Sequence, residues 1–165
     1  MNKEMMQHYK KTIVIPKEDA VFWMDGNGRW WNRHGLFGHR GIIDHFNRSI
    51  RYDDSGFFVA QVRDGILEKV YFRCEETAVF ALDLLSKSTF KLVLNTGNQI
   101  DLEPGRLMIC NDRLYQRGKH YPVKFSERAM MTISGYLSEA GSGYHLSIDG
   151  DRYAIPECET LPASH

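Results

Sequence analysis

Asp25-Gly26-Asn27-Gly28-Arg29-Trp30-Trp31-Asn32-Arg33 runs from a turn cluster into a strand, and the change of apolar period downstream of it sets the expected fold class. Apolar runs on either side of Asp, Gly and Asn mark a hairpin, because tight turns between strands need residues that accept φ > 0. Ala20 to Met24 supplies its first strand. Past Gly35-Leu36-Phe37-Gly38 the apolar period lengthens: Ile43, Phe46 and Ile50, with Ile42 beside them, predict an amphipathic helix over 39–52. Asp53-Asp54-Ser55-Gly56 interrupts it, and strands are expected at 57–62 and 67–73, turning at Asp64-Gly65.

The same order returns after Arg106. A strand at 107–110, a turn at Asn111-Asp112 and a strand at 113–117 lead to a second helix, with Ser126 as N-cap, Glu127 in the first turn, and Met130, Ile133 and Leu137 on one face. A hairpin about Asp149-Gly150 closes the chain, and strands at 79–85, 91–95 and 99–102 form a meander between the two stretches. Ile43, Phe46 and Ile50 correspond to Met130, Ile133 and Leu137, and Ser55-Gly56-Phe57 to Ser142-Gly143-Tyr144, at one constant offset. Arg29 to Arg33 corresponds to Arg113 to Arg117 at a slightly smaller one, which one short insertion reconciles. Such self-similarity marks repeated units, the alternative being two hairpin–helix units that share only turn chemistry. The expected fold is α+β, with antiparallel sheets built from two imperfect repeats of a β-β-α-β motif. Residues 1–19 form an N-terminal extension, 20–75 a first half, and 76–165 a second half with the terminal hairpin.

A chain of 165 residues fits one domain or two small halves and buries roughly 70% of its unfolded surface, so it needs no metal or disulfide to fold. Hydrophobic residues make up 42% and charged residues 25%, the balance of an ordinary globular protein that suggests neither disorder nor a membrane protein. Formal net charge is zero, so there is no general attraction to nucleic acid or lipid. Cys74, Cys110 and Cys158 are odd in number and far apart. That pattern predicts reduced thiols in a reducing compartment, with neither a structural disulfide nor a metal. The longest apolar run near the N-terminus is Ile13-Val14-Ile15, too short for a signal peptide or a membrane span. A cytoplasmic protein without membrane insertion is expected.

Alternate residues of a strand share a face, so Arg29-x-Trp31-x-Arg33 and Arg113-x-Tyr115-x-Arg117 would each set two guanidinium groups beside an aromatic ring. Guanidinium forks match phosphate and carboxylate oxygens, and aromatic rings stack on bases. Arg29, Arg33, Arg40 and Arg48 face only Asp44 in their stretch, and Arg106, Arg113, Arg117, Lys119 and Lys124 only Asp112 in theirs. His39 and Arg40 stand at a predicted helix start, where free backbone N–H groups favour anions. The candidate ligand-binding residues are therefore Arg29, Trp31, Arg33, His39, Arg40, Arg113, Tyr115, Arg117 and Lys119. The alternative is that arginine stems merely cover aromatics on a solvated sheet face.

No established catalytic motif is present, and nothing requires a cofactor. His34, His39 and His45 lack metal-ligand spacing. Gly141-Ser142-Gly143 is a turn without the flanks of a nucleophile elbow, and no phosphate-binding glycine loop is present. Glu68-Lys69 and Glu75-Glu76 read first as salt-bridged strand pairs rather than as acid and base.

Asn27-Gly28-Arg29-Trp30-Trp31, Gly38-His39 leading into Ile42-Ile43 and Phe46, the pair Glu68-Lys69, the run from Glu75 to Leu84, and Leu94-Asn95-Thr96-Gly97-Asn98 together resemble the bacterial family numbered 1285 among the domains of unknown function. The resemblance covers about 20–155, with Leu36-Phe37 standing where that family carries proline and isoleucine. It implies a core made by duplication, a C-terminal half similar to pleckstrin-homology-like folds, a nucleotide-like ligand between the halves, and a signalling role without known enzyme activity. Residues and resemblance together lead to an expected binding or regulatory module for a small anionic ligand, whose binding would shift the two halves. A protein-interaction scaffold is the second reading, and a hydrolase or transferase the third.

Overall fold

The computed structural model describes residues 9–162, and the chain divides into two units, Met1–Ala78 and Val79–His165. In the first, β1 (Lys11–Ile15), β2 (Phe22–Met24), β3 (Trp30–Asn32) and β4 (Gly35–Leu36) precede α1 (Arg40–Arg48). β5 (Ile50–Asp53), β6 (Gly56–Arg63), β7 (Ile66–Tyr71) and β8 (Arg73–Cys74) come after it. They make two four-stranded sheets, in the orders β1-β7-β6-β5 and β4-β3-β2-β8. The long hairpin β6–β7 turns at Asp64-Gly65, both at positive φ, which is why an Asp-Gly pair stands there.

The core of this unit is aromatic. Phe22 packs edge-on against Phe46 at 4.9 Å, and Trp30 lies 4.8 Å from Phe72. Trp30 is fully buried, and its indole N–H is satisfied by the Asn47 side chain at 2.8 Å, which ties α1 to β3. Buried tryptophan needs such a partner for its polar edge.

In the second unit β9 (Phe80–Ser86), β10 (Phe90–Leu94), β11 (Gln99–Asp101), β12 (Leu107–Cys110), β13 (Arg113–Gln116) and β14 (Val123–Phe125) come before α2 (Glu127–Ser134). β15 (Leu137–Ala140), β16 (Gly143–Ile148), β17 (Asp151–Ile155) and β18 (Glu157–Cys158) come after it. One sheet has seven strands in the order β11-β10-β9-β14-β13-β12-β18, the other is β15-β16-β17. Ser126 caps α2 as its sequence predicts, accepting the Ala129 N–H at 3.2 Å. Arg128 and Thr132 on α2 both reach the Asp83 carboxylate, fixing the helix to β9.

The α+β class stands, while three local expectations are corrected. Both helices are shorter than the apolar spacing implies. Ile50 continues the spacing of Ile43 and Phe46 but pairs with Val59 across β5 and β6, and Leu137 pairs with Leu146 across β15 and β16. An apolar residue buried by a neighbouring strand satisfies the same periodicity as one buried by the next helical turn. The Ser49 hydroxyl donates to the His45 carbonyl at 2.7 Å, and the helix stops there. The sheets are not wholly antiparallel, since β1 with β7, β2 with β8, β12 with β18 and β14 with β9 are parallel pairs. Finally, Cys110 and Cys158 are disulfide-bonded across the parallel pair β12 and β18, leaving Cys74 as the free thiol. Their separation of 48 residues hides a pairing that only the return of the C-terminal strand creates.

Candidate functional site

A cleft of about 350 Å³ opens where β4 leads into α1. Its wall is aromatic, with Phe37 edge-on to Phe46 at 5.3 Å, and the backbone N–H of Phe37 is anchored to the Trp30 carbonyl at 2.9 Å. Leu36 and Ile42, 49% and 47% exposed, line it on the solvent side. Two imidazoles complete it. His39 is the N-cap of α1, its Nδ1 accepting the Ile42 N–H at 3.3 Å. His34 is held by its own N–H, which donates to the Asn32 side chain at 2.9 Å, and its Nε2 accepts the Arg33 Nε–H at 3.0 Å. No carboxylate is among the lining side chains. The surface is thus apolar with basic groups at its edge, suited to an anion that carries an apolar or aromatic body.

Of the residues singled out in the sequence, His39 lines this cleft, Arg33 is bonded to its His34, and the exposed Arg40 begins α1 beside His39. Arg29 and Trp31 are brought together elsewhere, with the guanidinium 5.9 Å from the ring. Both serve an internal anion: the Asp25 Oδ2 accepts from Arg29 Nε at 2.9 Å and from the Trp31 indole at 2.8 Å, while its Oδ1 accepts the N–H groups of Asn27 and Arg29. Burial pushes the Asp25 pKa up, but these four hydrogen bonds outweigh it and hold the carboxyl below the usual range.

The corresponding residues of the second unit do not form a matching platform. Arg113 is exposed at the start of β13, whereas Tyr115 is buried in a cluster with Met108 and Cys110, its ring 5.7 Å from Lys124 Nζ. Arg117 donates to the Gly105 carbonyl at 3.3 Å, and Lys119 is exposed in the following loop. Alternation along the strand puts Arg113 and Tyr115 on one face, but the tyrosine lies inside the unit and its ring is closed to a ligand.

A polar cluster that the sequence hints at only through Glu68-Lys69 joins β5 to β7. The Asp53 Oδ2 accepts the Tyr71 hydroxyl at 2.7 Å and the Lys69 ammonium at 3.1 Å, and Lys69 also sits 4.7 Å from the Phe58 ring centre. Burial would raise the Asp53 pKa, but bonds from Tyr71, Ser55 and Lys69 lower it. Burial and the Asp53 carboxylate push the Tyr71 phenol up to about 12. Each of the three polar tips has a partner, so the cluster clamps β5 to β7. Among the described residues no three His, Cys, Asp or Glu side chains gather as a metal site, and no helix is long and apolar enough to cross a membrane.

No protein-family model matches the sequence, and no curated protein does. Among solved structures, a DUF1285 family protein from Silicibacter pomeroyi DSS-3 superposes with a TM-score of 0.57 at 11% identity, over 89% of this chain and 81% of that one. A DUF1285 family protein from Shewanella baltica OS155 gives 0.48 at 12% identity, over 67% of this chain and 87% of that one. The chain therefore shares the fold of the DUF1285 family protein from Silicibacter pomeroyi, the family that its own motifs resemble.

Proposed function

We propose that this protein is a non-enzymatic binding module whose first unit takes a small anion with an apolar or aromatic body, nucleotide-like in that sense, into the cleft between β4 and α1. The observation that carries the proposal is the composition of the cleft: Leu36, Phe37, Ile42 and Phe46 supply an apolar bed, His34 and His39 stand at its edge with Arg33, and no acidic side chain lines it. An apolar bed with convergent polar groups is the usual form of a small-molecule site. The role is regulatory, in keeping with the signalling role that the family resemblance implies. The test is a thermal-shift series with phenyl phosphate, phenol and inorganic phosphate. Phenyl phosphate should raise the melting temperature in a saturable way, since a ligand that binds only the folded state stabilises it. Phenol and phosphate alone should need at least about tenfold higher concentrations for the same shift.

The chain also reads as two copies of one unit, longer than the β-β-α-β motif of the sequence. The orders β4-β3-β2-β8 and β14-β13-β12-β18 match strand for strand, as do β5-β6-β7 and β15-β16-β17, with α1 and α2 at the same place in the chain order. In both, the last strand returns parallel to the first. A second functional reading, a protein-interaction module, is favoured by the exposed apolar residues Leu36 and Ile42 at the cleft, where a partner's apolar side chain would seat.

A further inference from the structure

A larger cavity, about 440 Å³, lies in the first unit beside β2 and β8, and the anion-binding proposal leaves it unused. It falls within the roughly 300–1,000 Å³ range of ligand pockets. Trp23 lines it and is 40% exposed, unlike its neighbours Phe22 and Met24, which are buried in the unit. Trp23 is paired in register with Arg73 across the parallel strands β2 and β8, so the exposed ring has a guanidinium-bearing residue as its direct neighbour.

The charges around this ring are of both signs. Lys17 and Arg73 stand at the cavity with Glu18 and Glu75, and none of the four makes an ion pair or side-chain hydrogen bond within the described chain. Asp25, also at the cavity, is already engaged by Arg29 and Trp31. Burial keeps the Cys74 thiol protonated, pushing it up to about 11 against the pull of Lys17, so it adds a neutral wall. Two cations and two carboxylates that border one cavity without neutralising each other leave charge-assisted hydrogen bonds of both polarities for a guest. A purely anionic guest would meet Glu18 and Glu75, and a purely cationic one Lys17 and Arg73.

We infer that this cavity binds a small zwitterion with a flat aromatic body, of the chemistry of an aromatic amino acid, its ring on Trp23, its carboxylate toward Arg73 and Lys17, and its ammonium toward Glu18 and Glu75. Calorimetric titration of the full chain with L-tryptophan, tryptamine and indole-3-propionate tests it. L-tryptophan should bind at least roughly tenfold tighter than either singly charged analogue, the loss expected for one charge-assisted hydrogen bond. Arg73→Gln and Glu75→Gln should each weaken L-tryptophan by about the same factor, while Ile42→Glu in the other cleft should leave it unchanged. No heat with L-tryptophan, or an analogue that binds as tightly as the amino acid, overturns the inference. Should Arg73→Gln fail to fold, the analogue series on the unaltered protein and on Glu75→Gln decides by the same criteria.

Discussion

Cys158 stands opposite Cys110 in the parallel pairing of β18 with β12, their Cα atoms 4.9 Å apart, and the disulfide between them ties the last strand of the second unit to the first strand of its repeat-like segment. Cys110 is fully buried, so the bond is sheltered from solvent on that side. With a sequence separation of 48 between the two cysteines, closing this loop in the unfolded chain contributes about 4 kcal/mol in the entropic model, within a measured range of roughly 0–5. Cys110→Ser with Cys158→Ser should lower the unfolding free energy by about 2–4 kcal/mol. Urea unfolding with and without reductant checks this. Reductant should weaken the unaltered protein and leave the double variant unmoved.

Met24 stands opposite Cys74 in the pairing of β2 with β8, as Cys110 does opposite Cys158. If the two units are copies, Met24→Cys should create a second disulfide at the matching place. Under mild oxidation, thiol counting should find Cys74 free in the parent and no free thiol in the variant. A variant that keeps two free thiols under those conditions would speak against the copied geometry.

Removing the Asp25 carboxylate should loosen the loop from Asp25 to Trp31, because four donors lose one acceptor together. Asp25→Ala is expected to cost about 1–3 kcal/mol, the net worth of hydrogen bonds to a charged group. The sign of the pH dependence is set by the lowered folded pKa. The Asp25 contribution is present above 3.8, the unfolded value, and is lost as pH falls through the folded value below it. Acid titration of stability should therefore be less steep in the Ala variant than in the parent.

Tyr71 works in the opposite direction. Its phenol is raised from 10.0 to about 12, so its contribution is complete below 10 and disappears as pH rises toward 12. Tyr71→Phe should destabilise the protein at neutral pH by about 1–3 kcal/mol through the lost bond to Asp53. It should also flatten the alkaline limb of the stability profile between those two values. Denaturant midpoints measured across that range read both effects.

Much of the fold was legible because local chemistry and final packing agree. Asp64-Gly65 and Asp149-Gly150 are at positive φ as hairpin turns require, and Ser126 caps α2. Where they disagree, the deciding partner is distant in sequence. Ile50 and Leu137 carry helical spacing but are claimed by strands, and Lys11–Ile15, with little period of its own, becomes β1 because β7 offers it a parallel edge. The disulfide was invisible for the same reason. At the candidate cleft, His39 is readable from a helix start and Arg33, bonded to His34, from its alternation with Trp31, but the partner of Arg29 and Trp31 is not. Asp25 looked like a turn residue, and its side chain serves as the anion that those donors hold. The cavity at Trp23 and Arg73 had no sequence signal at all, since 50 residues of chain separate its two halves of β2 and β8.

If the cleft between β4 and α1 binds an anion with an apolar body, amide chemical shifts of isotope-labelled protein report it residue by residue. On titration with phenyl phosphate, saturable shifts should concentrate between Asn32 and Phe46. Phenol and inorganic phosphate should each bind at least about tenfold more weakly, and Arg33→Ala should weaken phenyl phosphate by a similar factor, the worth of one charge-assisted bond. Shifts that fail to saturate, fall outside Asn32 to Phe46, or persist undiminished in Arg33→Ala would contradict it.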